Sequence, residues 1–276
     1  MKDKLAVVTG ATSGIGKEIA AQLAAQGAEV VIACRDAGKG ERTIDEIKKR
    51  APSSRLSMMV VDTSSKKSIL DITTKLKAER ARIDVLVNNA GIHARPRQTS
   101  VDGIELTFAT NVLGYFLVTR ELLDVMKKSA PARIVNVAST FAGNLELDDL
   151  EFKRRPYDSM KAYQQSKACN RLLTWAFSRR LAGTGVTANA MAPGLVYTGL
   201  YRETPAALRG LLRVIAVFRG RSIPQGADTA VWLASSPEVE SVSGRFFELR
   251  KERACEFRDE ALEERLWAAC ERMVGG

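Results

Sequence analysis

Short runs of apolar residues alternate along the chain with segments that are long enough to form a helix. The runs lie at residues 5–8, 30–33, 56–61, 85–87, 134–138, 186–191 and 245–249. Strands and helices that alternate in this way are typical of βαβ units and a parallel sheet. The pattern therefore predicts a doubly wound α/β fold, with a parallel sheet of about seven strands and helices on both faces.

The helical segments are marked by apolar residues at helical spacing. In the first, Ile15, Ile19 and Leu23 recur on one face, and Gly27 follows them as a glycine often follows the last turn of a helix. Similar patterns predict helices at about residues 156–181, from residue 224 onwards and at about residues 258–274. No repeat or linker-like stretch interrupts the sequence, so we expect residues 1–276 to form a single domain.

Composition places the chain among globular proteins. Of its 276 residues, 45% are hydrophobic and 27% are charged, with 20 glycines and 8 prolines, which excludes disordered and collagen-like classes. Its longest apolar runs have five residues, whereas a helix that crosses a bilayer needs about 20. The first strand follows Met1 too closely to leave room for a secretory signal. We therefore expect no transmembrane segment and a cytoplasmic location.

Positive charge is concentrated in one part of the sequence. The net charge is +10, and residues 151–221 contain 13 Lys and Arg against 3 Asp and Glu. No nucleic-acid-binding motif accompanies this charge, so we expect no nucleic acid partner, while an anionic ligand and peripheral contact with a membrane remain open. The four cysteines are scattered and the chain has one histidine, so we expect no metal site.

A glycine-rich turn, TGATSGIG at residues 9–16, joins the first strand to the first helix. Glycine lets the backbone turn tightly and approach a pyrophosphate, while the free N–H groups and the dipole at a helix start attract anionic oxygens. The spacing is G-x-x-x-G-x-G rather than the common G-x-G-x-x-G, and an ordinary strand-to-helix turn is the alternative. The predicted dinucleotide site includes Gly10, Thr12, Ser13, Gly14, Ile15 and Gly16.

The end of the second strand indicates which dinucleotide binds. A carboxylate there usually accepts hydrogen bonds from the adenosine ribose of NAD, but this chain has Cys34 and Arg35 instead. A guanidinium binds a phosphate through its planar fork, so Arg35 favours the 2′-phosphate of NADP(H). The alternative interpretation is a solvated surface arginine.

Further polar and small residues follow the later strands. They are Asp62 and Thr63, then Asn89, Ala90 and Gly91, then Asn111 within a helix, and Ser139. Ligands of open parallel sheets bind at the carboxyl ends of the strands, so we expect these residues to meet around a cofactor. Taken singly, Asp62 and Asn111 are more typical of a helix cap and a core amide.

Tyr163 and Lys167 are four residues apart in a helical segment, so both project from one face. Bringing a tyrosine from its usual pKa of about 10 to near neutrality requires about 4 kcal/mol. A cation about 4 Å away contributes an energy of that order. The spacing predicts that the Lys167 ammonium acts on the Tyr163 phenol, although such pairs also occur on solvated helix faces.

Together these motifs resemble the short-chain dehydrogenase/reductase superfamily in order and approximate spacing, from residue 4 to about 249. The resemblance rests on TGATSGIG, NNAG, Asn111, Ser139, YQQSK from Tyr163 to Lys167, and Pro193-Gly194. Within the superfamily, CRDAGKGE at 34–41, AYQQSKACN at 162–170 and the closing helix resemble the retinol dehydrogenase-like branch. The fold implied is the Rossmann fold.

The resemblance also implies an NADP(H)-dependent oxidoreductase that transfers a hydride between nicotinamide and a carbonyl or alcohol. Tyr163 would be the general acid and base, Ser139 would bind the reacting oxygen, and Lys167 would hold the nicotinamide ribose and favour the phenolate. Asn111 would position a water in the proton relay. The nicotinamide end would be contacted by Pro193, Gly194, Val196 and Thr198.

Residues 195–222 lie where the family has its variable substrate lid. The apolar residues of this segment indicate a lipophilic small-molecule substrate, and its arginines leave contact with a membrane surface open. The sequence does not distinguish a homodimer from a monomer, or reduction from oxidation. The alternative function is a non-catalytic NADP-binding sensor or scaffold of the same fold.

Overall fold

The computed structural model describes residues 1–196, 220–255 and 258–275, and an eight-stranded sheet lies at its centre. The strands are β1 (Leu5–Thr9), β2 (Glu29–Cys34), β3 (Arg55–Val60), β4 (Val85–Asn88), β5 (Ala132–Val137), β6 (Val186–Ala192), β7 (Phe246–Glu248) and β8 (Lys251–Glu252). Their order is β3-β2-β1-β4-β5-β6-β7-β8, and β1 to β7 pair in parallel. The predicted parallel sheet is therefore confirmed.

Helices lie between successive strands from β1 to β7, and the last helix follows β8. They are α1 (Gly14–Ala25), α2 (Ala37–Arg50), α3 (Lys66–Glu79), α4 (Leu106–Phe108), α5 (Gly114–Lys128), α6 (Ser159–Arg180), α7 (Ile223–Ser235) and α8 (Glu260–Gly275). A π-helical turn, Ala109–Leu113, joins α4 to α5. None of the helices in the described ranges is long and apolar enough to cross a membrane.

Both faces of the sheet are covered by helices. Successive side chains of a strand point to opposite faces. In β1, Leu5 and Val7 belong to the core shared with α3, α5, α6 and α8, whereas Ala6 and Val8 belong to the core shared with α1, α2 and α7. Burial on both faces explains why the strands are continuous apolar runs rather than alternating ones.

The prediction of about seven strands misses β8. This strand pairs antiparallel with β7, with Phe247 opposite Glu252 and Glu248 opposite Lys251. The turn between them consists of Leu249 and Arg250, which have φ angles of 56° and 57°. Two-residue hairpins require such left-handed residues and usually use Asn or Gly, so the sequence carries no turn signal here. The predicted strand at 245–249 is correspondingly shorter.

The strand order creates a crevice at one edge of the sheet. β1 pairs with β2 on one side and with β4 on the other, so the chain changes direction across the sheet at this point. Ligands of open α/β sheets bind outside the carboxyl ends of the strands at such a switch point. The glycine-rich turn follows β1, and the loop beginning at Asn89 follows β4. The fold therefore brings both to the expected ligand position.

Candidate active site

The glycine-rich turn between β1 and α1 packs tightly against the loop after β4. Gly10 has a φ of 65°, and a Cβ there would lie 2.7 Å from the Cα of Ala90. A Cβ on Gly16 would overlap the Asn89 amide and would lie 2.6 Å from the Gly10 carbonyl oxygen. Both positions require glycine because any side chain would collide with the neighbouring backbone or amide.

Asn89 and Ala90 hold this turn in place. Thr9 Oγ1 accepts hydrogen bonds from the backbone N–H groups of Asn89 and Ala90 at 2.9 and 3.0 Å. Asn89 Nδ2 donates to the carbonyl oxygens of Thr9 and Gly10 at 2.9 and 3.2 Å. The Asn89 amide, which the sequence assigns to the cofactor, is therefore engaged in supporting the turn.

The start of α1 is open to an anion. Ser13 is the N-cap residue, but its exposed side chain accepts no hydrogen bond from the helix, and the first turn contains no acidic residue. Gly14 and Ile15 begin the helix, and Thr12 lies beside α2 because its carbonyl oxygen accepts from Thr43 Oγ1 at 3.4 Å. The N–H groups and dipole of a helix start with no acidic residue favour a negatively charged ligand.

Arg35 is exposed at the end of β2 and forms no side-chain hydrogen bond or ion pair within the part of the chain that the structure describes. The next residue, Asp36, accepts a hydrogen bond from the Lys39 N–H at 2.9 Å and lies 3.6 Å from Lys39 Nζ, so it caps α2. The Lys39 N–H bond and nearby cations lower the pKa of Asp36. The end of β2 thus presents the Arg35 cation, while the Asp36 carboxylate is engaged in capping α2.

Asp62 and Thr63 form the turn after β3. Asp62 Oδ1 accepts hydrogen bonds from the Ser64 N–H at 2.9 Å and from Ser64 Oγ at 2.7 Å. Thr63 is buried next to α5, where a Cβ on Gly114 would lie 2.5 Å from the Thr63 carbonyl oxygen. The Asp62 carboxylate therefore shapes its own turn, as a cap does.

Tyr163 and Lys167 lie close together in α6, as their spacing predicts. Lys167 Nζ donates to the Val137 carbonyl oxygen at 2.9 Å and lies 5.7 Å from the centroid of the Tyr163 ring. Lys167 is 4% exposed, and this burial lowers its pKa to about 7. Lysines with strongly lowered pKa values are concentrated at functional sites.

Asn111 lies in the π-helical turn and is hydrogen-bonded to Ser166, which lies between Tyr163 and Lys167 in α6. Its Oδ1 accepts from the Ile92 N–H at 2.8 Å, and its Nδ2 donates to the Ile92 carbonyl oxygen and to Ser166 Oγ, each at 3.0 Å. A Cβ on Gly91 would lie 3.4 Å from Asn111 Oδ1 and 3.8 Å from Lys167 Nζ. The structure therefore brings Gly91, Asn111 and Lys167 together, although they are far apart in sequence.

Ser139 follows β5 at the same edge of the sheet. Its Oγ accepts a hydrogen bond from the Phe141 N–H at 3.0 Å, and its carbonyl oxygen accepts one from the Arg171 guanidinium. The Arg171 Cζ lies 3.7 Å from the centroid of the Phe246 ring in β7. The backbone of Ser139 is thus anchored to α6, the helix that carries Tyr163.

His93 contacts Tyr163, although the sequence analysis considered this residue only as a metal ligand. The two ring centroids are 5.5 Å apart, and Arg95 Nε donates to His93 Nε2 at 3.3 Å. Burial and, secondly, the charge of Arg95 lower the pKa of His93 to about 4. Its position two residues after Gly91 is the one signal that the sequence offers.

Tyr115 is a second residue that the sequence analysis missed. It is buried one turn after Asn111, and its ring centroid lies 5.6 Å from Lys167 Nζ. Tyr115 Oη also reaches the Val137 carbonyl oxygen, at 3.4 Å. Burial and, secondly, the nearby Tyr163 raise the pKa of Tyr115, so this phenol remains neutral.

Pro193 and Gly194 follow β6 at the same edge of the sheet. Gly194 has a φ of 74°, and Val196 forms an isolated parallel bridge with Arg221. Thr198 and most of the predicted lid at 195–222 lie outside the described residues.

These features fit a nicotinamide dinucleotide. The glycines at positions 10 and 16 have no room for a side chain, and the start of α1 is open. Gly91 adds no side chain of its own beside Lys167 Nζ, and at the end of β2 Arg35 supplies a cation that has no partner among the described residues. Backbone N–H groups that can bind an anion and the buried Lys167 amine therefore lie along one edge of the sheet.

Comparison with known proteins identifies the family of the chain. A family model described as short chain dehydrogenase matches residues 4–208. The chain therefore belongs to the short-chain dehydrogenase/reductase family. Human retinol dehydrogenase 13 is 39% identical over 282 residues, which cover 99% of this chain and 85% of the relative. Mouse retinol dehydrogenase 12 is 40% identical and covers 97% and 85%. The predicted retinol dehydrogenase-like branch is confirmed.

A solved structure supports the class of cofactor. The RhlG/NADP active-site complex of Pseudomonas aeruginosa matches with a TM-score of 0.72 and 27% identity, over 90% of this chain and 94% of that one. Family and relatives together make the chain an NAD(P)-dependent oxidoreductase that acts on CH–OH or C=O groups.

Proposed function

We propose that the chain is an NADP(H)-preferring oxidoreductase for a lipophilic carbonyl or alcohol, with Tyr163 as its general acid and base. The observation that carries the proposal is the buried Lys167 amine beside the Tyr163 ring, with Asn111 and Gly91 next to it. We also propose that residues 1–276 act as one domain.

The proposed mechanism assigns proton transfer to Tyr163. A nicotinamide dinucleotide held by the glycine-rich turn and Pro193-Gly194 would supply the hydride for reduction of the carbonyl carbon, and negative charge would then develop on the carbonyl oxygen. Tyr163 Oη gives its proton to that oxygen, and the hydroxyl of Ser139 donates a hydrogen bond to it. In oxidation, Tyr163 takes the proton back.

Lys167 stabilises the charged form of Tyr163. Its ammonium lies on the ring side of the phenol, where it favours the tyrosinate that remains after proton transfer. Because the pKa of Lys167 is about 7, this amine also exchanges a proton readily near neutral pH. Asn111 holds the loop after β4 through both bonds to Ile92, and so keeps Gly91 beside Lys167.

The proposed preference for NADP(H) rests on Arg35. The Arg35 guanidinium bonds to none of the described residues and is available to a 2′-phosphate, whereas Asp36 is engaged as the cap of α2. Replacing Arg35 with Ala should weaken NADPH binding about tenfold or more, and NADH, which lacks the 2′-phosphate, serves as the internal control. Equal affinities of the unmodified protein for the two cofactors would contradict the preference.

The lipophilic substrate is supported by apolar side chains near the site residues. Phe141, Met160, Leu195 and Ile223 are all exposed, although large apolar side chains are usually buried. Phe141 follows Ser139 by two residues, Met160 precedes Tyr163 by one turn, and Leu195 follows Gly194. An apolar substrate would cover them.

The decisive experiment is Tyr163→Phe, followed through NADPH absorbance with a panel of lipophilic aldehydes and ketones. Turnover should fall by about 10²–10⁴, because the group that protonates the oxygen is lost. NADPH affinity should change little, whereas Lys167→Ala should reduce both. Tyr157→Phe is the matched control, because its phenol binds the Ala94 carbonyl oxygen and Glu105 rather than the proposed machinery.

Two outcomes would contradict the proposal. A Tyr163→Phe protein with full reductase activity would refute the mechanism. An unmodified protein that binds NADPH but reduces nothing in a broad panel would favour the non-catalytic sensor or scaffold.

A further inference from the structure

The Arg221 side chain packs against the backbone of Gly194, just after the end of β6. A Cβ on Gly194 would lie 2.6 Å from Arg221 Nε and 3.3 Å from Arg221 Cζ. Gly194 also has a φ of 74°, which disfavours other residues. Glycine at position 194 therefore permits a guanidinium to rest directly against the Pro193-Gly194 segment.

The backbone of Arg221 is fixed, although it adjoins residues outside the described part of the chain. Its N–H donates to the Leu195 carbonyl oxygen at 2.8 Å, and Arg221 bridges to Val196. The next residue, Ser222, begins α7 with a capping box in which Ser222 and Gln225 bond each other's N–H groups. Arg221 is thus held between a β-bridge and a capped helix.

This position adjoins the glycine-rich turn as well as Gly194. A Cβ on Gly226, in the first turn of α7, would lie 2.6 Å from Val196 Cγ2 and 3.5 Å from Ile15 Cγ1. The first turns of α7 and α1 therefore pack together. A dinucleotide that extends from the start of α1 to Pro193-Gly194 passes the segment that carries Arg221.

The charge of Arg221 is not neutralised by the described residues. Its partly buried guanidinium forms no hydrogen bond or ion pair with residues 1–196, 220–255 or 258–275. Other arginines of the same part of the chain do pair, since Arg245 binds Glu252, Arg250 binds Asp228 and Arg253 binds Glu248. Arg221 directly precedes the start of α7, whose first turn lacks acidic residues, and a guanidinium with no partner among the described residues favours an anionic ligand there.

We propose that Arg221 is a cofactor-binding residue that donates hydrogen bonds to the pyrophosphate of the dinucleotide. The inference rests on the use of a nicotinamide dinucleotide in the proposed function, but not on the preference for NADP(H) or on the role of Tyr163. It gives Arg35 and Arg221 different tasks. Arg35 contacts the 2′-phosphate that only NADP(H) carries, and Arg221 contacts the pyrophosphate that both cofactors share.

Equilibrium binding to the full chain tests this assignment. NADPH and NADH are titrated by nicotinamide fluorescence against Arg221→Gln and Arg221→Lys. Arg221→Gln should weaken both dinucleotides by the same factor, about 5–20-fold, because one charge-assisted contact is lost. Arg221→Lys keeps the charge and should stay within about threefold of the unmodified protein. Arg245→Gln, at a paired arginine in the loop before β7, is the control and should leave both affinities unchanged.

Competition with fragments locates the phosphate. ADP contains a pyrophosphate and AMP does not, so Arg221→Gln should weaken ADP several-fold while AMP changes little. Arg221→Lys should keep most of the difference in affinity between ADP and AMP. It serves as the second variant if Arg221→Gln does not fold.

Three results would overturn the proposal. They are unchanged NADPH and NADH affinities in Arg221→Gln, a loss confined to NADPH, and a raised KM for an anionic substrate with unchanged dinucleotide affinity. A failure of the proposed function is separate, because it is detected by Tyr163→Phe turnover and by the Arg35→Ala cofactor preference.

Discussion

The two halves of α6 differ in what they contribute to the protein. The first half carries Tyr163 and Lys167 at the edge of the sheet, where the Lys167 amine is buried and donates to the Val137 carbonyl oxygen. The second half carries Phe177, Arg179 and Arg180, which pack against α8. One half therefore buries an ionisable group at the proposed catalytic site, and the other packs apolar rings against α8.

The contacts of the second half form a tight cluster. The Trp267 ring of α8 meets Phe116 and Phe177 edge-on, with centroids 4.9 and 4.8 Å apart, and Arg180 Cζ lies 3.9 Å from its centroid. Arg179 and Arg180 also pair with Glu264, at 2.8 and 2.5 Å. Aromatic pairs of this geometry stabilise a fold beyond the area that they bury. We infer that α8 stabilises the helix that presents the proposed catalytic residues.

The largest expected effect is that of Trp267→Ala on stability. The free energy of unfolding should fall by about 3 kcal/mol, because the ring contacts with Phe116 and Phe177 are lost and a cavity is left. Urea unfolding measures this change, and NADPH titration should show an unchanged affinity at low denaturant. Trp267→Phe keeps a ring and should lose less than half as much. A variant with full stability but weakened cofactor binding would contradict the division between the two halves.

The next prediction is a gain in the free energy of unfolding rather than a loss. The apoprotein with Lys167→Met should be more stable than the unmodified protein at pH 7, by about 1–3 kcal/mol, because the buried ammonium is removed. Burial lowers the pKa of Lys167 to about 7 in the folded protein, and the unfolded chain has a value of about 10.4. Between these values the unfolded chain binds more protons, so the free energy of unfolding of the unmodified protein rises with pH.

The difference between the two proteins should therefore shrink as the pH rises from 7 towards 10. Urea unfolding at several pH values measures it. Lys161→Met, at an exposed lysine of the same half of α6, is the control and should show no comparable gain. If Lys167→Met is less stable than the unmodified protein at pH 7, burial of the amine does not cost stability, and the comparison fails.

Sequence patterns predict the first half of α6 better than the second. Gly10, Gly16, Tyr163 and Lys167 lie in local motifs whose spacing has a direct physical meaning, and the parallel sheet follows from its apolar runs. Contacts such as Trp267 with Phe116 join residues far apart in sequence, and no local pattern indicates them. The hairpin at Leu249 and Arg250 lacks the usual turn residues, so β8 was not predictable.

Contacts between residues far apart in sequence also shape the site, and no local pattern indicates them. His93 is near Tyr163 only because the loop after β4 meets the start of α6, and Arg221 is near Gly194 only through tertiary packing. Asn89 shows the converse case. Its motif was found, but its amide supports the glycine-rich turn, a contact with Thr9 and Gly10 that spacing does not reveal.

The smallest expected effect concerns His93, which lies at the site and yet should not titrate there. Burial and the neighbouring Arg95 hold its pKa at about 4, against the opposing effects of the Ser159 backbone and Asp158. The imidazole is therefore neutral throughout the range from pH 5.5 to 8, and it presents no changing charge to the Tyr163 ring 5.5 Å away.

His93→Gln should lower turnover only a few-fold, through lost packing, and should leave the shape of the pH–rate profile unchanged. The profile of carbonyl reduction measures this. Arg95→Gln is a second variant, and it should raise the pKa of His93 only in part because burial, the larger cause, remains. A limb near pH 6.5 in the unmodified protein that His93→Gln removes would show that the imidazole titrates in the working range, and the crevice would then contain a further ionising group besides Lys167 and Tyr163.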